Sequence, residues 1–167
     1  MASKVLIVMG SDSDLDQVLP AADVLKELGV PVEITVASAH RSPDRVIALA
    51  RGARDQGIGV VLAAAGGAAH LAGVFAANTT LPVVAVPIAV GTLGGIDALL
   101  SSVQMPGGVP IASVGIGSGR NAGLFAAAIL SSSNAALAAR LDALRARQAA
   151  KVVEADAKVQ AKLSGRT

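Results

Sequence analysis

The sequence predicts a doubly wound α/β fold: one parallel five-stranded sheet with flanking helices and a long C-terminal helix. Short apolar runs alternate with segments of helical periodicity, and glycine-bearing or polar turns separate them. The runs are continuously apolar instead of alternating, which is typical of parallel strands that helices cover on both faces. Repetition of strand and helix in this way is the pattern of a doubly wound domain.

The predicted elements follow one another without a linker or a shift in composition. The predicted strands cover residues 4–9, 31–37, 59–65, 82–87 and 110–116. Helices are predicted over 14–28, over 43–56 and in a short segment that ends at about 78. Gly29 and Gly57 end the first two helices, and Ala- and Leu-rich segments follow the last two strands. We therefore expect a single α/β domain over 1–167, with its core at about 4–131.

Composition restricts the class of protein. Hydrophobic residues make up 53% of the 167 residues but aromatic residues only 1%, so the core must consist of Ala, Val, Leu and Ile. No uninterrupted apolar run is long enough to span a bilayer, and the N-terminal segment is too short for a secretory signal. The chain contains no cysteine, which excludes disulfides and thiol catalysis. We expect a cytoplasmic protein that does not bind a membrane.

The last segment, over about 134–163, carries leucines and valines at three- and four-residue steps and predicts a long amphipathic helix. A small domain offers too little surface to cover such a helix, so we expect it to pack on a neighbouring subunit of a homo-oligomer. The alternative is that it folds back on its own sheet. Half of the basic residues follow Asn134, but acids are interspersed and no aromatics accompany them. This favours a solvated helix face over nucleic-acid binding.

Ligands bind at the carboxyl ends of the strands in parallel α/β sheets, and three loops at these ends carry unusual polar residues. The first loop, MGSDSD, follows the first strand. Ser11 and Ser13 near a helix N-terminus favour an anion such as phosphate. Asp12 and Asp14 would repel phosphate, and they suit a helix cap or hydrogen bonds from sugar hydroxyls. Capping alone explains this loop equally well.

The second loop, SAHRSPD, contains two residues that helix capping does not explain. Ser42, Pro43 and Asp44 fit the start of a helix, with Ser42 as the cap. A cation near a helix N-terminus is unfavourable unless an anion binds there. Arg41 suits forked recognition of phosphate or carboxylate. His40 suits proton transfer near neutral pH.

The third loop, AAAGGAAHLAG, combines glycines with the second of the two histidines of the chain. Gly66 and Gly67 allow the backbone to approach a ligand closely, and His70 opens the next helix. The residues alone support a structural and a functional role for His70 equally. Neither histidine has a carboxylate at ligand spacing, so we expect no metal. No glycine motif stands where a nucleotide cofactor would require it.

The three loops in this order resemble the PurE family of purine biosynthesis, and so do PVVAVPI, GGIDALLSSVQMPGGVPIASVGI and RNAGLFAAAIL. The resemblance covers residues from about 4 to 130. It implies flavodoxin-like subunits, a homo-octamer with active sites at subunit contacts, and no cofactor or metal. The SVQMPGGVP and GGAAH segments are similar to the bacterial-type branch, N5-carboxyaminoimidazole ribonucleotide mutase. That branch moves a carboxylate from the exocyclic N5 of its substrate to C4 of the imidazole ring.

The resemblance also implies roles for individual positions. The implied catalytic residues are His40, as general acid/base in decarboxylation and recarboxylation, and His70. The implied substrate-binding residues are Ser11, Asp14, Ser38, Arg41, Gly66 and Ala68. Ser11 and Asp14 would bind the ribose phosphate end, and Arg41 the phosphate itself. Gly66, Ala68 and His70 would surround the carboxylate or the released CO2.

Two residues of the third loop depart from the family pattern. Ala64 stands where the family has a glycine, and Ala72 where it has a proline. Two alternatives to the mutase therefore stay open. One is direct carboxylation of aminoimidazole ribonucleotide by CO2, and the other is a non-catalytic protein that binds nucleotide phosphates.

Overall fold

The computed structural model describes residues 3–165 and contains the predicted five-stranded sheet, with every neighbouring pair of strands parallel. The first two and last two residues of the predicted domain lie outside the described range. The strands are β1 (Lys4–Met9), β2 (Val32–Val36), β3 (Ile58–Gly66), β4 (Val83–Ile88) and β5 (Ala112–Ser113). Their order across the sheet is β2-β1-β3-β4-β5, the order of flavodoxin-like sheets, so the predicted fold class is confirmed.

Helices connect the strands and cover both faces of the sheet. They are α1 (Leu15–Glu27), α2 (Pro43–Gly52), α3 (Leu71–Ala76), α4 (Ile96–Val103), α5 (Gly119–Ser131) and α6 (Ala135–Ser164). Two predicted bounds were wrong. Helix α2 ends at Gly52, before the predicted residue 56, because the chain turns towards Gly57, which has φ +79°. Strand β5 has two residues where seven were predicted, because only Ala112 and Ser113 pair with β4.

Two hydrophobic clusters form the core, one on each face of the sheet. The first packs β1 and β3 residues such as Ile7 and Leu62 against α1 and α5. The second packs Val8 and Val61 against α2 and α3, where Phe75 is completely buried. Apart from Phe75 and Met9, both clusters consist of aliphatic residues, as the composition predicts.

Helices α1 and α5 approach each other closely because glycines face the contact. A Cβ atom at Gly123 would lie 2.6 Å from Val24 Cγ1 and 2.7 Å from the Ala21 carbonyl oxygen. At Gly119 it would lie 2.2 Å from the Gln17 carbonyl oxygen. The residues that fix the position of α1 therefore include two glycines of α5.

Helix α6 begins on the domain and then leaves it. The Asn134 side chain caps it by accepting a hydrogen bond from the Leu137 N–H at 3.1 Å. Leu137 and Leu144 are buried, whereas every described residue after Leu144 is exposed. The first part thus folds back on its own domain, and the second part is left without cover in the single chain. Within residues 3–165, no helix is long and apolar enough to cross a membrane.

Candidate active site

The loops after β1, β2 and β3 line one cavity of about 400 Å³. Strand β1 lies between β2 and β3, so the carboxyl ends of the three parallel strands meet at one edge of the sheet. The eight residues that the family resemblance implies as catalytic or substrate-binding all line this cavity: Ser11, Asp14, Ser38, His40, Arg41, Gly66, Ala68 and His70. The structure therefore brings together every predicted site residue, and their chemical roles stay predictions.

The first loop forms a 3₁₀ turn, Asp12–Asp14, directly before α1. The Ser11 hydroxyl accepts a hydrogen bond from the Ser13 N–H at 3.4 Å, and the Asp14 carboxylate accepts one from the Ser11 N–H at 3.2 Å. These reciprocal bonds make a capping box. Capping, one of the two interpretations of this loop, is thus present. It does not exclude a ligand, because Ser11, Ser13 and Asp14 also line the cavity.

Asp14 is a buried carboxyl with only 5% of its surface exposed. Burial raises the pKa of this carboxyl above its usual value, because a charge is less well solvated there. Hydrogen bonds from Ser11 and Ser13 and the charge of Arg41 act in the opposite direction and are outweighed. The turn therefore presents to the cavity a carboxyl whose ionisation is costly.

The second loop holds Arg41 between the first two strand ends. Its Nη2 donates to the Gly10 carbonyl at 2.9 Å, and its Nε donates to the Ser38 hydroxyl at 3.4 Å. Among residues 3–165, Arg41 forms no salt bridge with a carboxylate. A guanidinium that is oriented by neutral groups keeps its charge available for an anion in the cavity.

Ser42 is the N-cap residue of α2, as predicted. Its side chain, however, makes no cap hydrogen bond. Instead its hydroxyl accepts from the Ser38 N–H at 3.0 Å and donates to the Ser38 carbonyl at 3.2 Å. The side chain of Ser42 therefore closes the SAHRS turn, which fixes the position of His40 and Arg41.

The two histidines are in direct contact. His40 Nε2 lies 2.8 Å from His70 Nδ1, and the rings meet edge to face with their centroids 4.9 Å apart. Such a contact requires a proton on one nitrogen and a lone pair on the other, so the two nitrogens share one proton. Both side chains are exposed to the cavity. The pair can therefore exchange a proton with a bound molecule.

The remaining wall of the cavity is apolar and small. It includes Ala65, Gly66, Ala68, Leu71 and Val90. Sequence reasoning missed Val90, because it lies in the loop after β4 and belongs to none of the three polar loops. The cavity thus has a polar end near Arg41 and the Ser11–Asp14 turn, and an apolar end beside the histidine pair.

Comparison with known proteins agrees with this geometry. The family model described as AIR carboxylase matches residues 4–151. The chain belongs to the AIR carboxylase family.

Members of the family with similar sequences carry a more specific name. The N5-carboxyaminoimidazole ribonucleotide mutase of Mycobacterium tuberculosis is 48% identical over 163 residues, covering 98% of this chain and 93% of the relative. The protein of the same name from Bacillus subtilis is 52% identical over 150 residues, covering 89% and 93%. A crystal structure of Treponema denticola PurE superposes with a TM-score of 0.84 at 28% identity, covering 93% and 98%. The predicted resemblance to PurE is confirmed.

The two departures from the family's third loop lie behind the cavity wall. Ala64 is fully buried in the cluster between the sheet and α1, and Ala72 is buried in the cluster on the other face. Both methyl groups therefore add to the core of this family member and leave the cavity surface to Gly66 and Ala68. In the part of the chain that is described, no group of three or more His, Asp or Glu side chains could hold a metal ion.

Proposed function

We propose that this member of the AIR carboxylase family is an N5-carboxyaminoimidazole ribonucleotide mutase of purine biosynthesis. The observation that carries the proposal is the 2.8 Å contact between His40 and His70 inside a cavity with one anion-binding end and one apolar end. Relatives that carry the name of this activity are about 50% identical in sequence to this chain over most of both chains, which supports the same substrate.

The polar end suits the ribose phosphate of the substrate. Arg41 can direct its unused N–H groups at the phosphate, and the N-terminus of α1 adds a positive dipole end. The Asp14 carboxyl would accept hydrogen bonds from ribose hydroxyls, and the Ser11 hydroxyl would donate one to the phosphate. Ser38 orients the guanidinium by accepting from the Arg41 Nε and N–H groups.

The histidine pair suits the two proton transfers that the reaction requires. When the bond between N5 and the carboxylate carbon breaks, its electron pair stays on N5 and CO2 is released. His40 gives a proton to N5, and the C4 carbon of the electron-rich ring then attacks CO2. The proton on C4 returns to His40, so no proton is gained or lost overall.

His70 and the apolar wall suit the carbon dioxide end. His70 shares a proton with His40 and can keep it in the reactive tautomer during both transfers. Gly66 and Ala68 leave room for a small uncharged molecule beside the ring. A wall without charged groups holds CO2 without trapping it as bicarbonate, because it excludes the water that would hydrate it.

Direct carboxylation of aminoimidazole ribonucleotide is the second candidate, and the description of the matching family model favours it. The two activities share the final bond, from C4 to the carboxylate, and differ in the carbon source. The non-catalytic alternative rested on Ala64 and Ala72. Both residues lie in the core and leave the cavity surface unaltered, so its support is weakened.

The test offers the two substrates separately to the purified protein, without ATP or added metal. We expect N5-carboxyaminoimidazole ribonucleotide to yield the C4-carboxylated isomer at micromolar enzyme, and aminoimidazole ribonucleotide with bicarbonate to react much more slowly. H40N should lower kcat by about 10²–10⁴, the usual contribution of a general acid/base, and H70N should lower it less. Absence of isomer with wild-type protein, or undiminished turnover in H40N, would contradict the assignment.

We further propose that residues 1–167 form one domain that assembles in the cytoplasm into a homo-oligomer, as an octamer, without binding nucleic acid. The support is the second part of α6, where Val152 and Val153 are each 70% exposed in the single chain. Sedimentation equilibrium should give a multiple of 16.4 kDa. V152E/V153E should lower that mass, and K151E serves as the matched control because it changes charge beside the same apolar pair. A monomeric wild-type protein would contradict the proposal.

A further inference from the structure

The loop between β4 and α4, residues 89–95, forms part of the cavity wall through Val90. Gly91, Gly94 and Gly95 all have positive φ, between 59° and 93°. Inside the loop the Gly94 N–H donates to the Gly91 carbonyl, so this hydrogen bond is local. Gly95 packs closely against Ile116 and the Ile88 carbonyl, whereas Gly91 and Gly94 have open space around them. The far end of the loop is therefore held by packing, and the near end, at residues 89 and 90, needs another contact to select its conformation.

One side chain from α1 supplies such a contact. Gln17 Oε1 accepts a hydrogen bond from the Ala89 N–H at 3.0 Å, across 72 residues of sequence. Gln17 belongs to the first turn of α1, directly after the Ser11–Asp14 turn, and its backbone is fixed against Gly119 of α5. The anchor of the loop therefore lies outside the cavity, on a helix that begins directly after the polar end of the site.

The residue after the anchored amide covers the apolar end. Val90 Cγ2 lies 2.4 Å from the place that a Cβ atom at Gly66 would occupy, so the valine methyl fills the space beside the Gly66 backbone. Val90 is nevertheless 41% exposed, which means that the core does not hold it in place. Its position depends on the loop, and the loop is joined to α1 through Gln17.

We propose that Gln17 is a positioning residue that holds Val90 over Gly66, so that CO2 stays beside the imidazole ring between its release and its recapture. The inference rests on the proposed mutase activity. It concerns what happens after the bond to N5 has broken and N5 has taken up its proton. Released CO2 then either bonds to C4, which gives the isomer, or escapes to solvent, which leaves aminoimidazole ribonucleotide as a side product.

The test measures the partition ratio, the amount of aminoimidazole ribonucleotide formed per C4-carboxylated isomer during turnover of N5-carboxyaminoimidazole ribonucleotide. Spontaneous decarboxylation is subtracted from an enzyme-free sample. Both products come from the same folded enzyme, so loss of folded protein changes both equally and leaves the ratio unaltered. The ratio therefore separates positioning from a general structural role.

Four variants decide the question. Q17L removes the acceptor at nearly constant size and should raise the ratio about fivefold, the factor that corresponds to loss of one neutral hydrogen bond. Q17E keeps an oxygen for the Ala89 N–H and should restore the ratio. V90A removes the cover and should raise the ratio at least as far as Q17L. Q56L, at an exposed glutamine outside both the cavity and α6, is the matched control and should leave the ratio at the wild-type value.

Each outcome is informative. An unchanged ratio in either Q17L or V90A overturns the inference, and so does a raised ratio in Q17E equal to that of Q17L. If Q17L does not fold, V90A still decides, because the exposed Val90 side chain is not needed for the core. Wild-type protein that forms no isomer refutes the mutase instead, and that result is visible before any variant is made.

Discussion

The close contact between α1 and α5 gives a prediction about stability that can be worked from the structure. In G123A the new methyl group would meet Val24 Cγ1 at 2.6 Å and the Ala21 carbonyl oxygen at 2.7 Å, well inside ordinary contact of about 3.5–4.0 Å. A valine methyl can rotate, but a backbone carbonyl in a helix cannot. One helix must therefore move relative to the other.

The size of the effect follows from two opposing contributions. Overpacking a well-packed core costs about 1–3 kcal/mol, and the backbone obstruction at Gly123 favours the upper end. In the opposite direction, the higher helix propensity of alanine relative to glycine stabilises the folded state by about 1 kcal/mol. The expected net loss is about 2 kcal/mol in the free energy of unfolding, or about 4–8 °C in Tm for a domain of this size.

Thermal unfolding and urea titration measure this loss, at one fixed protein concentration because the Tm of any protein that assembles depends on concentration. G107A is the matched control, since a Cβ atom there would meet nothing within 4 Å and the φ of Gly107 is not positive. It should leave stability unchanged or raise it by up to about 1 kcal/mol. A G123A protein with a Tm equal to or above the wild-type value would refute the packing argument.

Three further predictions concern single residues. Burial raises the pKa of Asp14, so the folded state holds the proton of this carboxyl more tightly than the unfolded state does. The unfolding free energy should therefore fall as the pH rises from the usual pKa of an aspartate through the raised pKa of the folded state. D14N should flatten that decline in urea titrations at a series of pH values that starts at the usual pKa of an aspartate, and parallel curves for the two proteins would contradict it. In R41K the positive charge is kept but the bidentate hydrogen bonding of the guanidinium is lost, so KM should rise about tenfold. R45K is the control and should leave KM unchanged, because Arg45 contacts Thr35 and Val36 instead of the cavity. F75A should cost about 3–5 kcal/mol of unfolding free energy, and a loss below about 1 kcal/mol would contradict its place in the core.

The sequence was sufficient to predict the sheet and the three polar loops that line the cavity, because continuous apolar runs and polar loop residues are local signals. It was not sufficient to predict their mutual arrangement. His40 and His70 lie on loops of different strands, and only the order of β2, β1 and β3 in the sheet puts their loops side by side. The contact between the rings, which supports a functional role for His70, therefore has no signature in either loop alone.

The contact of Gln17 and the length of β5 could not be predicted from the sequence either. Gln17 looks like an ordinary polar residue of an amphipathic helix, and its partner Ala89 contributes only a backbone N–H, which every residue except proline has. Strand β5 has the apolar composition of a longer strand, but only Ala112 and Ser113 pair with β4, although β4 itself continues to Ile88. Both features depend on partners that are distant in sequence, and no local pattern contains that information.

A core without tryptophan or tyrosine also has an optical consequence. The chain has two phenylalanines, Phe75 in the core and the 45% exposed Phe125, and no stronger chromophore among its side chains. The protein therefore absorbs very weakly in the near ultraviolet, so the absorbance of an aromatic ligand could be followed there against little background. A single tryptophan introduced at the exposed Leu93 would be the sole fluorophore of its kind, and its emission would report directly on motion of the glycine-rich loop beside the cavity.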